Sequence, residues 1–148
     1  PEFHIPLPKA LSMTVEFVLN RDLVSVFEEE EIDRSKLERL VAETRKWPLI
    51  LEKKQLAFVA GQRIDKLIEA FGNHSYDIKP LQLACEVLKI IEPLELPLEL
   101  WKAQNIYFSL MRTVLPSVRE RVNQKDREAQ QWIKLFLALG KRLKIKVE

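Results

Sequence analysis

The sequence predicts an all-α protein, a bundle of six to seven helices. Apolar residues recur about every 3.6 positions along most of the chain, and no run of strand length alternates between apolar and polar residues. Glycine occurs only three times in 148 residues, and several prolines stand where periodic segments begin or end. A content of 47% hydrophobic and 31% charged residues is typical of a globular chain rather than a disordered or membrane-spanning one.

The first helix is predicted over 9–27, and the second follows a run of four glutamates. Asp33 is the expected N-cap of the second helix; alternatively, Ser35 caps it and Glu38 completes a capping box. Pro48 is expected to end this helix. The predicted buried faces consist of Leu11, Val15, Val18, Leu19, Val26 and Phe27 in the first helix and of Leu37, Leu40, Val41, Thr44 and Trp47 in the second.

The third helix is predicted over 54–71, with a stop at Gly72. Asp77 is expected to cap the fourth, which tolerates Pro80 in its first turn and ends at Pro93. The predicted buried faces consist of Leu56, Val59, Ala60, Leu67 and Phe71 in the third helix and of Leu81, Ala84, Cys85, Leu88 and Ile91 in the fourth.

The fifth helix is expected to open at Pro97, and Pro116 is expected to break or restart it. Asp126 is the expected N-cap of the last helix, whose terminal lysines and arginine suit the helix dipole. Its predicted buried face consists of Ala129, Trp132, Ile133, Phe136 and Leu139.

Two helix pairs in the middle of the chain resemble each other. Each has a short Leu-x-Leu connector between its helices, at 49–51 and at 94–96, and the units are about 44 residues apart. Two packed helical hairpins would explain this spacing.

We expect one helical domain over 9–148, preceded by a flexible N-terminal arm or cloning remnant at 1–8. The first residue is Pro1 rather than an initiator Met, so we also expect the domain to be a fragment of a larger chain. A single cysteine cannot form an internal disulfide, and the cytoplasm is the default location. The sequence contains neither a signal-peptide pattern nor an apolar run of the length that a membrane span needs.

Charge is unevenly distributed along the chain. Residues 28–43 carry seven acids and three bases, whereas residues 112–148 carry ten bases and four acids. The basic end could contact nucleic acid or an acidic partner. However, Trp132 and Phe136 fall on the apolar face rather than among the bases, so a stacking platform for nucleic acid is not expected and neither is a nucleic-acid partner.

Residue patterns that carry chemistry are sparse in this sequence. His4 lies in the Pro-rich arm, His74 lies in a loop, and Cys85 falls on an apolar face, so we expect neither a metal site nor a nucleophile, and no cofactor. Glu16 is the most interesting carboxylate because Asn20 lies one turn further along the same helix. We expect this pair to tether a neighbouring helix or to face water.

An amide pair lies among large apolar residues in the segment 98–115. Gln104 shares a face with Tyr107, and Asn105 lies beside Trp101. One hypothesis is an interhelical hydrogen-bond network, in which Gln62 and Arg63 from the related helix pair could take part, because buried polar groups need partners. The other is a groove or interdomain contact in which an aromatic stacks on a sugar or partner and the amides bind hydroxyls. The candidate residues are Trp101, Gln104, Asn105 and Tyr107.

Four segments of the chain carry a family resemblance. They read PLPKALSMTVEFVLNRDL, ERLVAETRKWPLILEKKQLAFVAGQRIDKL, LPLELWKAQNIYFSLM and WIKLFLALGKRLKIKV. Together they resemble the helical C-terminal domain of uncharacterised proteins related to family-57 glycoside hydrolases, the α-amylase and α-mannosidase relatives. The resemblance implies a separate N-terminal, barrel-like catalytic domain that acts on α-linked sugars with two carboxyl groups. No position of this sequence matches a catalytic motif, so no catalytic residue is assigned.

The expected function is therefore that of a non-catalytic accessory domain packed on the N-terminal catalytic domain of the same chain, with a contact to carbohydrate as a further option. A free-standing helical module that binds a protein through a groove or through its basic end is the alternative. A small enzyme is the third hypothesis, with Glu16 as its best acid.

Overall fold

A computed structural model describes residues 9–47 and 49–144, and this part of the chain contains helices and connectors but no strand. It contains seven α-helices and a 3₁₀ turn at Glu92–Leu94, which confirms the predicted fold class. The helices are α1 (Lys9–Glu28), α2 (Arg34–Lys46), α3 (Lys53–Asn73), α4 (Ile78–Ile91), α5 (Trp101–Thr113), α6 (Leu115–Asn123) and α7 (Arg127–Arg142). The predicted arm at 1–8 and the predicted stop at Pro48 lie outside the described residues.

The described residues group into two compact units, and one domain over 9–148 stays a prediction. Unit 1 comprises the described residues up to Arg63 together with Ile90–Glu99, and unit 2 comprises Ile64–Lys89 and the described residues from Leu100 onwards. The divisions fall inside α3 and near the end of α4.

In unit 1, α1 packs closely against α2. The carboxylate of Asp33 accepts a hydrogen bond from the Lys36 backbone N–H at 3.0 Å, so Asp33 rather than Ser35 is the N-cap of α2. The buried side chains of this unit come chiefly from the second half of α1, from α2 and from the start of α3: Leu19, Leu23, Val26, Phe27, Leu37, Leu40, Val41, Leu56 and Ala60.

In unit 2, α6 packs against both α5 and α7, and an aromatic cluster fills the interior. The Phe136 ring stacks on Tyr107 at 4.1 Å and on Trp132 at 4.6 Å between ring centroids, and Phe71 lies tilted against it. The side chain of Asp126 caps α7 by accepting the backbone N–H groups of Glu128 and Ala129, as predicted.

Three details of the helices differ from the sequence prediction. α5 begins at Trp101 rather than at Pro97, and α3 continues through Gly72 to Asn73 without a left-handed glycine. Leu11 is 49% exposed, because the first half of α1 does not present its apolar positions to the core.

The predicted repeat is reproduced only roughly. The connector from α2 to α3 covers 47–52, whereas the one from α4 to α5 covers 92–100 and includes the 3₁₀ turn. Close packing is seen for the helix pairs α1–α2, α5–α6 and α6–α7.

Candidate functional site

The predicted site residues of α5 point in different directions. Tyr107 is fully buried, and its hydroxyl donates a hydrogen bond to the Phe136 carbonyl oxygen at 2.7 Å. Burial raises the pKa of the Tyr107 phenol well above its ordinary value. Tyr107 therefore supports the aromatic cluster of unit 2 and cannot line a surface groove, contrary to the predicted role.

Gln104 is half-buried and fastens the end of α7 to α5. Its side-chain Nε2 donates to the Leu143 carbonyl oxygen at 2.8 Å, which satisfies a carbonyl just beyond the last helical residue. Gln104 therefore hydrogen-bonds to a backbone carbonyl just beyond α7 rather than to the Gln62 or Arg63 side chain that the network hypothesis named.

The remaining two candidates lie on an exposed face of α5 that we call the α5 stripe: Trp101, Asn105, Phe108 and Arg112. These residues are four, three and four positions apart, so they follow one side of the helix. All four are exposed, and Trp101 and Phe108 expose 66% and 42% of their surface. Phe108 belongs to this surface, although the sequence analysis did not select it.

Arg63 has a structural role in unit 1. Its guanidinium donates to the backbone carbonyl oxygens of Glu29 and Glu30, the latter at 2.8 Å, just after the end of α1. These carbonyls lie beyond the end of α1 and accept no hydrogen bond within that helix. The planar guanidinium of Arg63 has several N–H donors and can bind more than one of them.

The side chains of Glu16 and Asn20 hydrogen-bond to the backbone of the connector between α2 and α3, and we call this contact the connector clamp. The Glu16 carboxylate accepts the Ile50 backbone N–H at 3.1 Å, and Asn20 both donates to the Ile50 carbonyl at 3.2 Å and accepts the Glu52 N–H at 2.7 Å. The predicted tether therefore exists, but it holds the connector between α2 and α3 rather than a helix.

A groove of about 780 Å³ runs between α1 and this connector in unit 1. Met13, Phe17 and Ile50 contribute exposed apolar surface to it. The sequence analysis missed this groove. Met13 and Phe17 fall outside the predicted buried face of the first helix, and two large apolar residues on the outer side of an amphipathic helix were the available signal.

A smaller pocket of about 290 Å³ in unit 2 lies beside Tyr76 and Arg121. Two of its polar side chains are engaged: Arg121 makes a salt bridge to Asp126 at 2.8 Å, and Tyr76 hydrogen-bonds to Ser117 at 3.0 Å.

The titratable groups with shifted pKa values belong to structural contacts. Burial raises the pKa of the Cys85 thiol to about 11, so it stays protonated and is a poor nucleophile. Burial also raises the pKa of Asp65, against the opposing effect of Lys102, and Lys102 forms a salt bridge to Glu69. Within 9–47 and 49–144, no group of three or more His, Cys, Asp or Glu side chains is arranged to hold a metal ion.

No described helix is both long and apolar enough to cross a membrane. Comparison of the chain with models of protein families, with curated proteins and with solved structures finds no match. The resemblance to relatives of family-57 glycoside hydrolases accordingly stays a prediction from the four sequence segments.

Proposed function

We propose that this chain is a non-catalytic helical accessory domain of a larger α-glycan-active protein, located in the cytoplasm, and that its α5 stripe packs against the catalytic part. The observation that carries the proposal is the exposure of Trp101 and Phe108 on one side of α5. The resemblance to family-57 relatives supplies the identity of the expected neighbour.

The chemistry of the α5 stripe suits an interface within a larger protein. Aromatic residues and arginine are enriched in interfaces, where a large flat side chain is removed from water and a guanidinium finds hydrogen-bond acceptors. Asn105 lies between the two aromatic residues and offers an amide donor and acceptor. The same indole and amide could also stack on and hydrogen-bond to a sugar at the edge of a catalytic cleft.

The proposal assigns no catalytic residue to this chain. Hydrolysis of a glycosidic bond needs two carboxyl groups on either side of the bond. Asp65, the described carboxyl group with a raised pKa, has a fully buried Oδ1, and its neighbour Glu69 is paired with Lys102.

The first test is the size of the native polypeptide, measured by immunoblotting extracts of the source cells with an antibody raised against this domain. The proposal expects a band far above 17.4 kDa, the mass of this chain. A band near 17.4 kDa would overturn it and would favour a free-standing module that binds a separate protein through the same stripe.

The second test is hydroxyl-radical footprinting of Trp101 in the native polypeptide and in the isolated 148-residue chain. We expect Trp101 to be oxidised several-fold more slowly in the native polypeptide, because the interface excludes water from the indole. Tyr76 is exposed and lies outside the stripe, so it serves as the internal reference. Equal oxidation of Trp101 in both samples would contradict the proposed interface.

A further inference from the structure

The groove of unit 1 is an elongated channel with two walls of different origin. One wall is α1, which contributes residues spaced three or four positions apart from Met13 to Glu28. The opposite wall is formed by Ile50, Glu52 and Gln55, from the connector and the start of α3. Fifteen residues of helix rise about 22 Å, so the channel is long enough for a helix of about four turns.

Both walls of the groove expose large apolar side chains that the rest of unit 1 leaves uncovered. Met13, Phe17 and Ile50 expose 61%, 65% and 72% of their surface. Single exposed apolar residues are ordinary on protein surfaces, but three that line the same groove are an arrangement typical of a surface that binds a partner.

The charged groups of the groove are predominantly acidic. Glu16, Glu28, Glu29 and Glu52 line it together with one base, Arg21, which gives a formal charge of −3. Arg21 is already engaged, since its guanidinium lies over the Phe17 ring and 3.6 Å from the Asp22 carboxylate. Glu29 is paired with Lys36 at 3.2 Å, so Glu28 and Glu52 are the main carboxylates available to an incoming cation.

The connector wall is held in place before any partner binds. The connector clamp fixes the backbone of Ile50 and Glu52 through three hydrogen bonds: Glu16 and Asn20 each accept one backbone N–H, and Asn20 donates to the Ile50 carbonyl. A preformed wall reduces the conformational entropy that binding must overcome.

We propose that this groove binds a basic amphipathic helix of a partner protein. The apolar side chains of that helix pack against Met13, Phe17 and Ile50, and its lysine or arginine side chains pair with Glu28 and Glu52. A basic helix is favoured because its positive charge complements the acidic groove. An anionic membrane surface would be repelled by the carboxylates. The proposal does not depend on the accessory-domain function, because it concerns a different surface in a different unit.

The test uses a fluorescein-labelled, 15-residue helical peptide with leucine at positions 1, 5, 8 and 12 and with lysine and alanine elsewhere. We expect it to bind the 148-residue chain with a dissociation constant below about 100 μM at 50 mM salt, measured by fluorescence anisotropy. The same peptide with glutamate in place of every lysine should bind at least tenfold more weakly.

Two phenylalanines of unit 1 provide a matched pair of variants. F17S removes an aromatic contact of the groove and should weaken peptide binding about tenfold. F58S removes an equally exposed phenylalanine, 64% against 65%, that does not line the groove, and should leave binding unchanged. Both side chains are mainly in solvent, so both variants should fold, which circular dichroism verifies.

The electrostatic part of the proposal is tested with the double variant E28Q/E52Q. We expect this variant to bind the lysine peptide several-fold more weakly than the parent chain at 50 mM salt. The difference between variant and parent should disappear near 0.5 M salt, because exposed charges are screened there. E38Q/E120Q, which removes two exposed carboxylates outside the groove, is the charge-matched control.

The proposal is overturned if the lysine peptide does not bind, if the glutamate peptide binds equally well, or if F17S and F58S weaken binding alike. Binding of the chain to vesicles with 30% phosphatidylserine, abolished by F17S, would identify a membrane surface instead. A homodimer that F17S dissociates in analytical ultracentrifugation would identify a second copy of this chain as the occupant.

Discussion

At the scale of single residues, the hydrogen bonds of the connector clamp determine the position of one wall of the groove. Asn20 uses its amide nitrogen for the Ile50 carbonyl and its amide oxygen for the Glu52 N–H, so one side chain satisfies two backbone groups of a segment without regular structure. Backbone groups in such a segment otherwise depend on water. The clamp therefore fixes the path of the connector that forms one wall of the groove.

We expect N20A to lower the free energy of unfolding by about 1–2 kcal/mol, because two hydrogen bonds to the connector backbone are lost together with one to the Glu16 carbonyl in α1. Urea denaturation measures this change. S25A on the same helix removes an exposed hydroxyl and should change stability by less than about 0.5 kcal/mol. Equal stability of N20A and S25A would show that the clamp contributes nothing.

Asp65 makes a pH-dependent contribution to stability. Its Oδ1 is buried without a hydrogen-bond partner, and burial raises the pKa of the carboxyl above its ordinary value of 3.8. The folded state therefore binds this proton more tightly than the unfolded state does. The contribution of Asp65 to stability is greatest below pH 3.8 and falls as the pH rises through the folded-state pKa.

We expect D65N to melt at a higher temperature than the parent chain at pH 7, because asparagine removes the charge at nearly constant shape. The difference should disappear near pH 3, where Asp65 is protonated in both states. E38Q, which neutralises an exposed carboxylate, should show no such pH-dependent gain. Melting curves at several pH values decide between these outcomes, and a D65N variant less stable at pH 7 would refute the account.

At the scale of elements, helix α3 contains two glycines in different surroundings. Neither has a positive φ, so neither needs the conformational freedom of glycine. A Cβ at Gly61 would lie 3.6 Å from the Glu99 carbonyl oxygen, an ordinary contact, whereas one at Gly72 would lie 3.2 Å from the Ile106 Cγ2.

We expect G61A to raise the free energy of unfolding by about 0.5–1 kcal/mol, because alanine restricts the unfolded chain and favours the helix. G72A should gain less, since Ile106 must shift by a few tenths of an ångström to admit the methyl group. Thermal melting of the two variants side by side gives the comparison. A larger gain for G72A would contradict the contact geometry.

The helices could be predicted from the sequence because their caps are local. Asp33 and Asp126 bind backbone N–H groups within three residues, so a short stretch of sequence contains the whole interaction. Pro97 misled the prediction for the opposite reason. A proline is equally compatible with a first helical turn and with extended chain, and the start of α5 at Trp101 is not marked by a side-chain cap.

The candidate site was predicted less well because it depends on which face of α5 is buried. Tyr107 and Trp101 are six positions apart, and helical period alone allows either to face the interior. The aromatic cluster around Phe136 selects Tyr107, which leaves Trp101 in solvent. Which face of α5 is buried therefore depends on contacts with α7, about 30 residues further along the chain. A local sequence pattern carries no information about these contacts.

At the scale of the whole molecule, the phenylalanines divide into core and surface. Phe27, Phe71 and Phe136 are buried, whereas Phe17, Phe58 and Phe108 expose between 42% and 65% of their surface. Buried aromatics account for stability through packing, and exposed ones are available for binding. The division therefore separates substitutions that should unfold the protein from those that should only weaken its contacts.

We expect F136A to lower the free energy of unfolding by about 3–5 kcal/mol, because it leaves a cavity among Tyr107, Trp132 and Phe71. F108S should change stability by less than about 0.5 kcal/mol, since its ring lies partly in water. Urea denaturation of both variants gives the two values. If the α5 stripe is a contact surface, F108S should weaken that contact while the melting curve stays unchanged. A large loss of stability in F108S would instead make the stripe part of the packed interior.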